Sequence, residues 1–300
     1  MKSPQPLQKH DKIAIVATAR KTKKEDLQPA IQLLQQWGLQ YVIGSSIGLE
    51  EHQFAGSDEE RAKDLQQQLD DPKIKAIWCA KGGYGTVRIL DLINFSMFKK
   101  NPKWIIGYSD VTALHAHIHN LGIATLHAQM CIGVETKSEA SRVSLQKLLF
   151  GKKVNYQFQS HQLNRNGIAQ GELIGGNLSV LYSLCGSNSN LNTTRKILFL
   201  EDLDEYLYHI DRMMQNLKRN GMLENLAGLI VGGMSAMNDN SIPFGKTAEE
   251  IISETVAAYD FPVGFNFPAG HIEDNQALIL GSKVKLEVTE NGSLLSYLEE

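Results

Sequence analysis

The chain has 300 residues, of which 42% are hydrophobic and 21% charged, and its formal net charge is -3. This length and composition suit one large globular domain or two modest ones, each with its own core. The slightly acidic balance offers no field for binding phosphate backbones, so we expect no nucleic-acid partner. The amino-terminal segment lacks the apolar core of a secretory signal, and no apolar run approaches the roughly 20 residues of a membrane span. We therefore expect no membrane association.

The three cysteines, Cys79, Cys131 and Cys185, are widely spaced in the chain. An odd number does not suit a complete disulfide framework. Two of them follow or lie within apolar runs, which is typical of small buried thiols in a reducing compartment. We therefore expect a cytoplasmic protein.

The first half of the chain alternates short apolar runs with amphipathic segments, which predicts a mostly parallel sheet covered by helices. In chain order, the predicted elements are a strand at 12–17, a helix at 24–37, a strand at 40–43, a helix at 58–69, a strand at 74–80, a helix at 86–93, a strand at 104–106 and a helix at 111–122. Ser57 is the predicted N-cap of the second helix, with Glu60 completing a capping box.

The periodicity is lost around residues 151–167, and we place an inter-domain linker there. This predicts an N-terminal α/β domain at 1–150 and a C-terminal domain at 168–300. The predicted elements of the second half are a turn-rich segment at 171–179, a strand at 196–202, a helix at 210–219, a strand at 228–233, a helix at 247–259, and a closing pair at 277–288 and 293–300. The Asn-Gly turn before residue 293 is typical of a tight hairpin.

A serine lies in a tight turn between the fourth strand and its helix, in the sequence Gly107-Tyr108-Ser109-Asp110. Such a turn exposes the hydroxyl at the carboxyl edge of a sheet, and the free N–H groups of the helix N-terminus can stabilise an oxyanion. Ser109 is therefore a candidate nucleophile. The pattern differs from the G-x-S-x-G of hydrolases, and Ser109 or Asp110 could instead simply cap the helix.

A nucleophilic serine needs a general base, and His271 is the candidate among the nine histidines. It lies in a loop after a strand, where catalytic residues tend to occur, although an ordinary loop histidine is the alternative. His115 and His119 are spaced i, i+4 on one helix and could chelate a metal. No acidic or thiol third ligand lies near them in the sequence, so we expect no metal site and no other cofactor.

The orienting acid of such a triad is predicted at Glu201, which follows four apolar residues of a strand. A carboxylate at the end of a buried strand is costly without a partner, and His271 would supply one. The alternative is that Glu201, Asp202 and Asp204 form the acidic start of a helix, stabilised by its dipole. That alternative explains the two aspartates better than it explains Glu201. The resulting order of serine, acid and histidine occurs in known triads.

A glycine-rich turn, GGYG at residues 82–85, ends the third predicted strand. Glycines let the backbone approach a ligand closely and can direct N–H groups at an anion. The spacing matches neither a dinucleotide fingerprint nor a P-loop. Because this turn and the serine turn end neighbouring strands, an oxyanion donor facing Ser109 fits. The alternative is a turn that needs positive φ and has no further role.

Six segments together resemble the LD-carboxypeptidase family of serine peptidases, which includes muramoyl-tetrapeptide carboxypeptidases and microcin C immunity hydrolases. In chain order they are FAGSDEERAKDL, AKGGYGTVRIL, IIGYSDVTAL, GELIGGNLSVL, FLEDLDEYLYHIDRM and FPAGHIEDNQALILG. They extend over nearly the whole chain, and it is their joint occurrence in this order that makes the resemblance specific.

The resemblance implies that Ser109 is the nucleophile, His271 the general base and Glu201 its orienting acid. It also implies an oxyanion hole formed by the backbone N–H groups of Asp110 and Gly83. The implied fold is α/β, with a flavodoxin-like or amidotransferase-like N-terminal parallel-sheet domain, a smaller C-terminal α/β domain and the active site between them. The family's members often form homodimers, so we expect a homodimer here.

The sequence departs from the family pattern at three places. The first strand ends in VATAR where a Pro-Ser is usual, Lys81 replaces a common arginine, and the segment at 127–130 replaces a Gly-Pro-Met turn. None of these departures involves the three triad residues. They could, however, reshape the substrate pocket.

The implied activity is that of a serine carboxypeptidase in cell-wall recycling, which removes D-alanine from murein tetrapeptide by cleaving the amide after an L-centred residue. A substrate with a free carboxylate needs a cation, and Lys81 and Arg88, which flank the glycine turn, are the candidates. One alternative is a microcin C-type hydrolase that cleaves an aminoacyl-nucleotide amide with the same triad, which the compact chain disfavours. Another is a non-catalytic ligand-binding protein on the same fold, against which the intact triad argues.

Overall fold

The computed structural model describes residues 1–298. These residues form two compact units, of which the first comprises 1–153 and 273–279 and the second comprises 154–272 and 280–298. None of the helices within residues 1–298 combines the length and the apolar character that crossing a bilayer requires.

In chain order, the strands are β1 (Lys12–Val16), β2 (Gln40–Ile43), β3 (Ile74–Cys79), β4 (Trp104–Gly107), β5 (Thr125–His127), β6 (Tyr156–Phe158), β7 (Gly167–Asn177), β8 (Lys196–Leu203), β9 (Gly228–Ser235), β10 (Val263–Gly264), β11 (Leu278–Leu280), β12 (Lys283–Thr289) and β13 (Gly292–Tyr297). The α-helices are α1 (Gln28–Gln36), α2 (Asp58–Asp70), α3 (Thr86–Ile89), α4 (Ser96–Lys100), α5 (Thr112–Asn120), α6 (Glu139–Leu149), α7 (Leu178–Ser183), α8 (Leu207–Arg219) and α9 (Ala248–Thr255). Short 3-10 helices lie at Glu25–Leu27, Leu90–Leu92, Ser109–Val111 and Val134–Thr136.

The first unit contains a six-stranded sheet in the order β11-β5-β4-β3-β1-β2. The pairings of β1 with β2 and β3, of β3 with β4, and of β4 with β5 are all parallel. Strands such as β4 are buried along their whole length, as expected for a parallel sheet that helices cover on both faces. The capping box predicted for α2 is confirmed, because Ser57 Oγ accepts from the Glu60 N–H and the Glu60 carboxylate accepts from the Ser57 N–H.

The second unit contains a seven-stranded mixed sheet in the order β10-β9-β8-β7-β12-β13-β6. The strands from β7 to β10 pair in parallel, whereas β12 is antiparallel to both β7 and β13. The predicted fold class is therefore confirmed: a parallel-sheet α/β unit at the N-terminal side is followed by a second α/β unit.

Three segments differ from the prediction. The turn-rich segment at 171–179 lies mostly in β7, because Gly175 permits a close backbone approach: a Cβ there would overlap the carbonyl oxygen of Phe199. The predicted linker at 151–167 contains β6, which pairs with β13. The closing segment at 277–288 is two strands, and its first part, β11, joins the sheet of the first unit. The domain boundaries at 1–150 and 168–300 stay a prediction.

Candidate active site

The turn that carries Ser109 connects β4 to α5 in the first unit. Ser109 has a backbone φ of 61°. A left-handed backbone is strained for a residue with a side chain, and such residues cluster at functional sites. Gly107 makes room for this turn, because a Cβ there would lie 2.8 Å from the Val111 side chain. The serine hydroxyl is therefore held by a strained strand-to-helix turn at the end of a buried strand.

His115 supports the same turn from within α5. Its Nε2–H donates to the Gly107 carbonyl oxygen at 2.9 Å, and the ring is buried. Burial lowers the pKa of His115 to about 4, although the hydrogen bond to Gly107 raises it. The imidazole is therefore neutral at neutral pH, and its hydrogen bond stabilises the backbone at Gly107. Within residues 1–298 there is no group of three or more His, Cys, Asp or Glu residues arranged to hold a metal ion.

The glycine turn at the end of β3 lies against Ser109. β3 and β4 are parallel neighbours, so this turn and the serine turn leave the same edge of the sheet. A Cβ on Gly82 would lie 3.5 Å from the Ser109 Cβ. Gly83 and Gly85 have φ values of 102° and 145°, which strongly favour glycine. The prediction that the two turns end neighbouring strands is confirmed.

Asp110 connects the serine turn to the glycine turn. Its carboxylate accepts a hydrogen bond of 2.9 Å from the Thr86 N–H. Burial raises the pKa of the Asp110 carboxyl, although hydrogen bonds from Thr86 and Gly85 lower it. The Thr86 hydroxyl also lies 2.8 Å from that of Thr18, beyond the end of β1. These contacts fix the backbone of Asp110 relative to the turn that contains Gly83.

In the second unit, the structure brings Glu201 and His271 into direct contact. His271 Nδ1–H donates to Glu201 Oε2 at 2.7 Å, and the His271 backbone N–H donates to the same oxygen at 3.1 Å. Glu201 is fully buried on β8, whereas 14% of the His271 side chain is exposed. The carboxylate fixes the tautomer and orientation of the ring, because the Nδ1–H that it accepts leaves the lone pair of the neutral ring on Nε2. The pair thus has the geometry of an acid that orients a base.

Gly270 makes this contact sterically possible. Its φ is 107°, and a Cβ there would lie 2.7 Å from both the Cβ and the Oε2 of Glu201. A larger residue would push the loop away from the carboxylate. The position directly before the histidine in the segment FPAGH therefore requires glycine.

Asp202 is a buried carboxyl that sequence reasoning did not single out as functional. It accepts hydrogen bonds from the Asn177 side chain at 2.9 Å and from the Ser179 N–H at 2.8 Å. Burial, together with the charge of the neighbouring Glu201, raises the pKa of Asp202 to about 7. The alternative of an acidic helix start is wrong for Glu201 and Asp202, because β8 continues to Leu203. The sequence signal for Asp202 is the pair of adjacent acids that follows the apolar run at 197–200.

The predicted triad and oxyanion residues divide between the two units. Ser109, Asp110 and Gly83 belong to the first, and Glu201 and His271 belong to the second. The structure therefore joins two of the three predicted triad residues by a direct hydrogen bond, and it places the third beside the glycine turn.

The two predicted carboxylate-binding cations have different surroundings. Lys81 directly precedes the glycine turn and lines a cavity of about 250 Å³, together with Lys23 and Asp26. Arg88 Nε donates to both carboxylate oxygens of Asp58 at 2.9 Å, and its guanidinium lies 5.1 Å from the centre of the Phe54 ring. The charge of Arg88 is therefore already paired within the protein.

Comparison with known families matches both halves of the chain. Residues 13–128 match the LD-carboxypeptidase N-terminal domain, and residues 170–286 match the LD-carboxypeptidase C-terminal domain. The chain is 33% identical to the probable murein peptide carboxypeptidase of Bacillus subtilis, over 97% of this chain and 93% of the relative. It is 27% identical to the murein tetrapeptide carboxypeptidase of Pseudomonas aeruginosa, over 92% and 93% of the two chains.

Solved structures share the fold over nearly the full length. Muramoyltetrapeptide carboxypeptidase from Oxalobacter formigenes superposes with a TM-score of 0.87 at 24% identity, covering 96% of this chain and 99% of its own. The microcin C7 self immunity protein MccF superposes with a TM-score of 0.87 at 23% identity, covering 99% and 98%. At this level of identity the likeness concerns the fold.

Proposed function

The chain belongs to the LD-carboxypeptidase family, and from this premise we propose that it is a serine-type LD-carboxypeptidase acting on murein peptides. Its substrate would be a murein tetrapeptide, from which it releases the C-terminal D-alanine and leaves a tripeptide. The single observation that carries this proposal is the hydrogen-bonded pair of Glu201 and His271, in which a fully buried carboxylate orients a partly exposed imidazole. The names of the curated relatives support the choice of substrate.

In the proposed mechanism, Ser109 attacks the carbonyl carbon of the scissile amide while His271 Nε2 accepts the hydroxyl proton. Glu201 stabilises the imidazolium that forms. The backbone N–H groups of Asp110 and Gly83 donate to the oxyanion of the tetrahedral intermediate. His271 then gives the proton to the departing amine of D-alanine, and an acyl-enzyme remains on Ser109. Water, deprotonated by His271, hydrolyses this ester and regenerates the serine.

The strain at Ser109 and the network around Asp110 support this division of roles. A φ of 61° shows that the backbone of the nucleophile is held in an unusual conformation, and holding a reacting group in place lowers the entropic cost of reaching the transition state. The hydrogen bond from Thr86 to Asp110 fixes one oxyanion donor relative to the glycine turn that carries the other. Preorganised donors of this kind are often the largest catalytic contribution.

From the sequence, Lys81 and Arg88 are the cations predicted to bind the terminal carboxylate of the substrate. Both assignments are proposals. For Arg88, the existing ion pair with Asp58 means that substrate would have to compete with an internal carboxylate. The test is the Michaelis constant of Arg88→Ala for a tetrapeptide. An unchanged value would remove Arg88 from the assignment.

The decisive experiment is mass spectrometry of murein tetrapeptide after incubation with the protein. We expect loss of one alanine, with no further shortening of the product. Ser109→Ala is the matched control, because it removes only the hydroxyl. Release of alanine by Ser109→Ala at the wild-type rate would refute the nucleophile, and absence of release by the wild-type protein would refute the proposed activity.

The same assay tests the microcin C-type alternative when an aspartyl sulfamoyl nucleotide replaces the peptide. The likeness to MccF concerns the fold and does not favour this substrate. Cleavage of the nucleotide analogue with no action on the tetrapeptide would reverse the assignment. Cleavage of neither compound, with intact folding, would favour the non-catalytic alternative.

We also propose a cytoplasmic location and a homodimer. Cys79 and Cys131 are buried free thiols, which suits a reducing compartment. Burial raises the pKa of Cys79 to about 12, so this thiol is an inert core group and not a competing nucleophile. Light scattering coupled to size-exclusion chromatography tests the dimer, and a monomer mass at micromolar concentration would contradict it.

A further inference from the structure

We propose that Arg20 is the residue that binds the terminal carboxylate of the peptide substrate. This inference rests on the proposed carboxypeptidase function and deepens it, because it names the group that would make the enzyme specific for a free C-terminus. Arg20 lies in the VATAR segment after β1, at one of the places where the sequence departs from the family pattern.

The chemistry of the reaction limits where such a cation can lie. In a peptide with one residue after the scissile bond, three covalent bonds separate the scissile carbonyl carbon from the carboxylate carbon. Those bonds span at most about 4 Å. The cation that binds the carboxylate must therefore lie beside the nucleophile and the oxyanion donors. In the first unit, that region is bounded by Ser109 and the glycine turn.

Arg20 occupies this region. A Cβ on Gly83 would lie 2.5 Å from the Arg20 Cδ and 2.9 Å from its Cγ, so the side chain crosses directly over Gly83. The neighbouring Gly82 faces Ser109, since a Cβ built on it would lie 3.5 Å from the Ser109 Cβ. The backbone of Arg20 is held by a β-bridge to Phe54. Gly83 thus has a second steric role besides its positive φ, since any side chain there would displace the arginine.

The hydrogen-bonding state of Arg20 also fits a ligand site. Within residues 1–298, its guanidinium has no hydrogen bond and no ion pair, and the residue is exposed. The two other arginines beside the glycine turn are engaged: Arg61 Nη1 donates to the Gly85 carbonyl oxygen at 3.0 Å, and Arg88 is paired with Asp58. Arg20 is therefore the arginine next to this turn whose donors are available. Its planar fork matches a carboxylate in a bidentate arrangement.

Lys81 is the competing cation, since its ammonium also has no hydrogen bond or ion pair within residues 1–298. It differs from Arg20 in lining a cavity with Lys21, Lys23 and Asp26. Asp26 and Glu50 also line that cavity, so the lysines there share their surroundings with two internal carboxylates, and Lys21 is already paired with Glu50. The position of Arg20 favours it for the terminal carboxylate, because its side chain crosses over Gly83 beside the serine turn.

The test compares murein tetrapeptide with its C-terminal carboxamide, which lacks the charge that Arg20 would bind. The variants are Arg20→Gln, Arg20→Lys and Lys81→Gln, and Lys24→Gln is the control for loss of one exposed positive charge in the same loop. Removing a hydrogen-bonded ion pair weakens binding by about 10- to 100-fold. For Arg20→Gln we expect the KM for the free acid to rise by this factor and the KM for the amide to stay unchanged. In Arg20→Lys we expect a smaller rise for the free acid.

A binding measurement separates this inference from the proposed activity. Calorimetry with the Ser109→Ala protein gives the affinities for the acid and the amide without turnover. Preferential binding of the acid that Arg20→Gln abolishes would support the inference, even if the wild-type protein hydrolyses neither peptide. Equal affinity for acid and amide, no binding of either, or loss of the preference in Lys81→Gln with Arg20→Gln unaffected would each overturn it.

Discussion

Replacing Glu201 by glutamine tests whether its charge, and not only its shape, supports the chemistry. The Oε2 atom accepts both hydrogen bonds from His271, at 2.7 Å and 3.1 Å, and Oε1 has no partner within the described residues. A glutamine can therefore place its amide oxygen at the Oε2 position and keep both contacts. Its NH₂ group would then lie unsatisfied in the core, at a cost of about 1–3 kcal/mol. Part of that cost is offset because the variant no longer buries the negative charge of Glu201.

The effect on turnover should be larger than the effect on stability. In the transition state the imidazolium faces a carboxylate in the wild-type protein and a neutral amide in the variant. At an effective dielectric constant of about 20, opposite unit charges about 4 Å apart attract by about 4 kcal/mol. Loss of most of that attraction lowers kcat by about 100- to 1,000-fold. Because the neutral ring is still oriented, the defect should be smaller than that of Ser109→Ala.

The assay is alanine release from murein tetrapeptide, with the free energy of unfolding measured in parallel. Asp202→Asn is the matched control, because it changes the adjacent buried carboxyl, which bonds to Asn177 and Ser179 and not to His271. We expect Asp202→Asn to keep kcat within a factor of about five, since a change of 1 kcal/mol corresponds to about that factor. If folded Glu201→Gln has a kcat within threefold of wild type, the acid–base role of this pair is wrong.

Two further predictions concern the surroundings of this pair. Gly270→Ala combines a φ of 107° with a Cβ that would lie 2.7 Å from Glu201, so we expect it to lower the free energy of unfolding by about 2 kcal/mol or more and to reduce activity. Gly186→Ala, with a φ of 81° and no atom within 4 Å of its Cβ, should cost only about 1 kcal/mol and spare activity; equal losses in urea unfolding would contradict the steric argument. The pKa of Asp202 is raised from 3.8 to about 7, so the folded state binds the proton more tightly than the unfolded state, and stability is lost as pH rises between these values. Urea midpoints between pH 4.5 and 7.5 should therefore fall less in Asp202→Asn than in wild type, and parallel falls would refute the assignment.

The sheet of the first unit is largely predictable from the sequence, because each of β1 to β4 is a short apolar run that ends at a polar or glycine-rich segment. β7 is not, because its glycines at 171, 175 and 176 are the residues that usually indicate turns. In the structure, Gly175 instead allows the backbone to approach Phe199. Local sequence cannot distinguish a glycine that turns the chain from one that packs against a neighbouring strand.

The site divides in the same way. Glu201 can be singled out from the sequence because a carboxylate after four apolar residues requires a partner, and the hydrogen bond to His271 supplies it. Arg20 cannot, because nothing around it in the chain indicates that it lies over Gly83, more than 60 residues away in the sequence. Arg88 shows the converse: its place beside the glycine turn suggests a ligand role, but Asp58 already pairs with it. Spacing in the sequence predicts which residues lie near a turn. It does not predict which of them are already paired within the protein and which can bind a ligand.

The backbone at Ser109 allows the strain of the nucleophile turn to be measured separately from its chemistry. A left-handed residue with a Cβ costs about 1–2 kcal/mol relative to glycine, whereas glycine costs about 0.5–1 kcal/mol more entropy on folding. With a φ of 61°, Ser109→Gly should therefore have a free energy of unfolding about 0.5–1 kcal/mol above that of Ser109→Ala, while both lack activity. Urea unfolding of the two variants under identical conditions measures the difference. A Ser109→Ala protein more stable than Ser109→Gly by about 0.5–1 kcal/mol would leave only the entropic cost of glycine and would mean that the turn stores no strain.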